Sequence, residues 1–87
     1  AVFQIRKDKL NQVSEFHRLV DEFLSKQKGV LSIQHKRDTK NPAIFVDIIE
    51  WNSEEDALAA GVASQQEVSL VPFFEATEKL IHFGTNQ

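Results

Sequence analysis

The 87-residue chain contains no cysteine, so no disulfide can staple its fold and metal sites built on thiolates are excluded with it. No apolar run comes near the roughly 20 residues a helix needs to cross a bilayer. An excess of positive charge is also missing: the net charge of −3 opposes a general attraction to phosphate backbones or anionic lipid, which requires a clustered positive field. There is no glycine-rich phosphate loop, and with three glycines and two prolines the chain shows no linker, repeat or low-complexity tract. The start AVFQIRKDKL lacks the basic-then-apolar order of a signal peptide. These absences lead us to expect a cytoplasmic protein with neither membrane nor nucleic acid as a partner.

What is present is an ordinary globular composition, 41% apolar and 26% charged. The length fits one domain over residues 1–87. A monomer of this size buries only about 64% of its extended chain's surface. Packing, including a partner subunit, must supply the stability.

Val2 to Arg6 alternates, with Phe3 and Ile5 on one side, and reads as a strand. From Lys9 the period changes to threes and fours: Leu10, Val13, His17, Val20 and Leu24 form a helical stripe that Phe16 and Phe23 widen. Asp8 is placed to cap that helix, and Gly29 to stop it. Val30 to Arg37 alternates again, with Leu31, Ile33 and His35 sharing a face. The turn-forming run Asp38 to Pro42 predicts a hairpin loop. Ala43 to Trp51 is nearly continuous in apolar residues, with Ile44, Val46 and Ile48 on one face and Phe45, Ile49 and Trp51 on the other. Both faces of that strand call for cover. Ser53, followed by Glu54, Glu55 and Asp56, predicts a second helix to about Ala63. A short third helix is expected around Pro72, and a closing strand over Glu78 to Phe83.

The order β-α-β-β-α-(α)-β predicts an α+β, ferredoxin-like βαββαβ domain with helices on one face of a four-stranded antiparallel sheet. The second face then needs a second copy of the chain, a homodimer joined through its sheet faces as a dimeric α+β barrel. The strand ending in Trp51, followed by Ser53, Glu54 and Glu55, then Ala57, Ala59 and Ala60, resembles the dimeric α+β barrel superfamily, and within it the antibiotic-biosynthesis-monooxygenase-like domains. Pro72-Phe73-Phe74 and a terminal strand carrying His82 extend the resemblance over nearly the whole chain. The resemblance implies binding of a small organic molecule and, for some members, oxygenation of quinol-type aromatics without metal or flavin. Haem-degrading members resembling this chain carry a tryptophan and a histidine where Ala60 and Leu70 stand here, so haem degradation is not expected.

Several residues are candidates for chemistry. His17 stands within the first helix's apolar stripe, where a buried imidazole either acts as a base or is a hydrogen-bonded structural group. Asp47 lies between Val46 and Ile48, and a carboxylate there needs a partner such as Arg6 or Gln4, or a proton. His82 shares its side of the last strand with Leu80 and could accept a phenolic proton from a bound ligand. In an enzyme of this kind His82 or Asp47 would be the catalytic proton acceptor, Trp51 and Phe45 would stack on the ligand, and Gln4 and Arg6 would orient its oxygens, with His17 close by. His17, His35 and His82 show no short metal-ligand spacing, so neither metal nor cofactor is expected. The alternative is a non-catalytic ligand-binding or assembly module of the same fold. An RNA-binding sheet of this topology is opposed by the acidic balance.

Overall fold

Alternation at the start of the chain becomes β1 (Val2–Ile5), and the 3.6-residue stripe becomes α1 (Val13–Ser25) in the computed structural model, which describes residues 1–82. The chain continues through β2 (Val30–Arg37), β3 (Ile44–Trp51), α2 (Glu54–Ser64), α3 (Val71–Ala76) and β4 (Thr77–His82). The strands form one antiparallel sheet in the order β2-β3-β1-β4, the ferredoxin-like arrangement expected from the pattern.

The helices cover one face of this sheet. Phe3 and Ile5 of β1 meet Phe45 of β3, Phe16 of α1 and Ala76 of α3 in a first core. Each fully buried phenylalanine contributes roughly 1.5–3 kcal/mol through the apolar surface it removes from water. A second cluster joins Phe23 and Leu24 of α1 to Leu70, with Ile33, Ile49 and Trp51 packed against it. The opposite sheet face carries Ile44, Val46 and Ile48, and at Ile48, 43% exposed, it lies open.

Two local expectations are corrected. Asp8 does not cap α1: a 3₁₀ segment over Lys7–Gln12 comes first, from which Leu10 packs on the first core, and exposed Asp8 instead lies 3.7 Å from Arg6. In β2 an irregularity between Val30 and Ser32 resets the alternation, so Val30 joins the second core while Leu31 is 64% exposed. An extra residue in one strand shifts everything before it to the other face.

The start of α2 is held from two sides. Ser53 Oγ accepts a hydrogen bond from the Asp56 amide at 3.1 Å, the cap its sequence promises. Gly29 has φ +88°, and any Cβ there would collide with the Asp56 side chain, while its carbonyl accepts a bond from the Asn52 amide at 2.7 Å. α1 itself ends at Ser25, so Gly29 closes the turn after the helix.

β1 is too short to line all of β3. It pairs with Ile44 to Val46, and Ala1 extends the contact by accepting from the Asp47 amide at 2.9 Å. Beyond Asp47, the edge of Ile48 to Trp51 that faces away from β2 has no strand beside it among the described residues.

Candidate functional site

The β2–β3 hairpin sets His35 directly opposite Asp47. Adjacent cross-strand partners share a face of the sheet, here the face that α1 covers. His35 Nδ1 lies 2.7 Å from Asp47 Oδ1, and its other nitrogen, Nε2, lies 2.7 Å from Asp21 Oδ1 on α1. A carboxylate at each ring nitrogen favours the form of His35 in which both nitrogens donate. Burial alone pushes the His35 pKa down, but the bonds to Asp47 and Asp21 and their charges together outweigh it and raise it above the ordinary histidine value.

His17, projecting from α1, stacks on His35 with ring centroids 4.0 Å apart and planes 12° apart. Its pKa moves the other way. Burial lowers it first and the neighbouring charge of His35 adds to this, against smaller opposing effects of Asp47 and Asp21. His17 Nε2 is buried with no hydrogen-bond partner among the described residues. The two stacked imidazoles are therefore pushed apart, His35 toward its charged form and His17 toward its neutral one.

Asp47 is 6% exposed and the one buried charged side chain among the described residues, whereas the Asp21 side chain is 50% exposed. Carboxylate, imidazole and carboxylate thus make a continuous hydrogen-bonded chain from the interior to solvent.

Asp47 also belongs to a groove. Around the free edge of β3, between α2 and the α3–β4 segment, lies an open depression of about 1340 Å³ whose wall is mostly apolar, including Phe23, Ile49, Trp51, Leu58 and Phe74. Small-molecule pockets usually measure roughly 300–1,000 Å³. The groove is larger than one such ligand needs and unroofed. Leu58 and Val62 of α2 are 61% and 63% exposed at its rim.

Of the residues picked from sequence, the structure brings His17 and Asp47 together and lines the groove with Asp47 and Trp51. Phe45 is placed elsewhere: at 2% exposure it stacks against Phe3, meets the His17 ring edge-on and lies beneath the Arg37 guanidinium, inside the core rather than on the groove wall. Asp47 does not pair with Gln4 or Arg6. Gln4 Nε2 donates to Glu78 at 3.1 Å, and Arg6, past the end of β1, lines a separate hollow of about 320 Å³ with Lys9 and Glu75. His82 ends β4 opposite Val2, and its side chain lies outside the described residues. The pairing of His35 with Asp21 was not anticipated.

No protein-family model matches the chain, and no curated protein matches it by sequence. Solved structures do. A protein from Nitrosomonas europaea, provisionally named an antibiotic biosynthesis monooxygenase, superposes with a TM-score of 0.66 at 14% identity over 91% of this chain and 83% of its own. A conserved protein from Methanosarcina mazei Go1 gives 0.61 at 21% identity, covering 92% and 79%. A protein from Chloroflexus aurantiacus J-10-fl, also provisionally named an antibiotic biosynthesis monooxygenase, gives 0.57 at 17% identity, covering 99% and 91%. At these identities the likeness establishes the fold, that of antibiotic-biosynthesis-monooxygenase-like domains, as the sequence resemblance implied.

Proposed function

We propose, from a fold shared with antibiotic-biosynthesis-monooxygenase-like domains, that the chain binds a small, largely apolar or aromatic molecule in the groove beside β3, as a homodimer in which a second copy narrows the open depression. The observation that carries this reading is the groove itself: apolar walls around one buried carboxylate, the combination by which small-molecule sites gain affinity from burial and orientation from a few polar groups. Trp51 offers a flat ring to the ligand and Asp47 a hydrogen-bond acceptor. The uncovered sheet face with Val46 and Ile48 is the surface for the second copy.

Trp51 is the chain's one tryptophan, so its emission reports on the groove. Titration with a panel of quinols and naphthols should give saturable quenching by some members, abolished by Leu58→Trp placed to fill the groove and read against its own baseline. No saturable change with any member contradicts the reading.

A second reading, turnover rather than binding alone, is favoured by the carboxylate–imidazole chain. Asp47 could take the proton of a phenolic ligand, with His35 hydrogen-bonded beside it, leaving an electron-rich anion for oxygen to attack. Against it, Asp47 is already satisfied by His35, as suits a binding module. Oxygen uptake with the same quinols decides: consumption by the parent chain that is lost in Asp47→Asn supports turnover, and none with the parent leaves the protein a binder.

A further inference from the structure

We propose that His17, His35 and Asp47 form a binding site for a divalent transition-metal ion, a property that goes beyond the ligand groove and does not depend on it. The donor atoms of the three side chains lie within 4.8 Å of one another. They arrive from α1, β2 and β3, so the site exists only in the folded chain.

Three observations go further than proximity. The first is His17 Nε2, buried and without a partner, an arrangement that is costly to keep unless a group such as a metal ion uses the nitrogen. Next, buried Asp47 sets a carboxylate oxygen 2.7 Å from His35 Nδ1. Finally, Asp21 stands 2.7 Å from the opposite nitrogen of His35. That is the outer carboxylate which, in metal sites, fixes the tautomer and orientation of a coordinating imidazole and makes it a better donor.

The donor set selects the ion. Two imidazole nitrogens and one carboxylate oxygen suit zinc and its first-row neighbours, whereas magnesium and calcium prefer all-oxygen surroundings. On binding, the proton between His35 Nδ1 and Asp47 Oδ1 departs to solvent and the ion takes its place. His35 then coordinates as a neutral imidazole, still donating from Nε2 to Asp21, and Asp47 coordinates as a carboxylate. Tetrahedral bonds of about 2.0–2.1 Å hold ligand atoms roughly 3.4 Å apart. The 2.7 Å contact of His35 with Asp47 therefore opens slightly, His17 turns out of its parallel stack on His35 so that its lone pair meets the ion, and water completes the coordination.

The test uses the chain stripped with a chelator and then titrated with Zn²⁺ in competition with a chromophoric chelator, with Mg²⁺ in parallel and Co²⁺ as a spectroscopic probe. One Zn²⁺ per chain, intense visible bands of tetrahedral Co²⁺ and no competition by Mg²⁺ are expected. His17→Phe keeps a flat ring on His35 but removes the nitrogen, and should weaken Zn²⁺ at least tenfold; Asp21→Asn should weaken it by about tenfold through the loss of the orienting carboxylate. Circular dichroism checks the fold of each, and if His17→Phe fails to fold, the exposed Asp21→Asn carries the comparison. Zn²⁺ affinity unchanged in the folded variants, or a Co²⁺ spectrum no different from the aqueous ion, overturns the proposal. Either outcome leaves the Trp51 titration of the groove free to succeed or fail by itself.

Discussion

The two ends of β3 sit in opposite circumstances. Around Phe45 to Asp47 the strand has β2 on one side and the β1 end on the other, aromatic rings above it and a polar cluster in which His35 bonds two carboxylates. Around Ile48 to Trp51 one neighbour is absent among the described residues, and α2 beside it presents Leu58 and Val62 to solvent. The first end is finished by the chain's own side chains; the second is left open among the described residues. Asp47 lies at the boundary, bonded into the first and lining the second.

The sharpest way to break this comparison is to truncate one side chain at each end. Phe45→Ala should cost about 3–5 kcal/mol, since it removes a ring enclosed by Phe3, His17 and Arg37. Leu58→Ala should change stability by less than about 0.5 kcal/mol in urea unfolding of the protein at low concentration. Similar losses at both positions would erase the distinction.

Asp47→Asn should fall between them. It keeps the shape but replaces a charge-assisted bond to His35 with a neutral one, at a cost of about 2 kcal/mol by chemical denaturation. A loss near zero would mean that the carboxylate is not engaged with His35.

Proton linkage gives a smaller signal of definite sign. The His35 pKa is raised in the folded chain, so the stability from its carboxylate bonds is full below the ordinary value of 6.5 and is lost as pH climbs through the raised value. The His17 pKa is lowered, so keeping it neutral costs stability as pH falls below 6.5 toward its lowered value. In buffer containing a chelator, the contribution of this pair should therefore peak near pH 6.5, measured as the difference in Tm between the parent and a His17→Phe/His35→Gln double variant from pH 5 to 9. A difference that rises steadily above pH 7 contradicts the assignment of charge to His35.

Much of this was legible in the sequence. The strand and helix order followed from a change of period at Lys9, the turn-forming run after Arg37 and the Ser53 cap, and those local signals agree with the tertiary packing. The His35–Asp47 pair was also within reach, because a hairpin turning about Asn41 sets residues equally distant from it opposite one another. A partner for Asp47 was sought instead on the β1 side, where Gln4 and Arg6 offer polar groups. β1 stops pairing at Val46, so neither reaches it. Asp21 gave no signal: it looks like any exposed helical carboxylate, and only the packing of α1 over β2 brings it to His35. The break in alternation at Leu31 was equally silent, since an irregular strand has the same composition as a regular one.

Sedimentation of the parent chain and of Ile48→Glu at about 10 µM tests the unfinished half of the molecule most directly. Ile48 is 43% exposed on the uncovered sheet face and also borders the groove, so a glutamate there is tolerated by the single chain but not by a second copy packed against it. The parent should sediment at twice its 9.9 kDa mass and the variant at the single-chain mass, with unchanged circular dichroism. A parent that remains a stable, folded single chain would contradict the account.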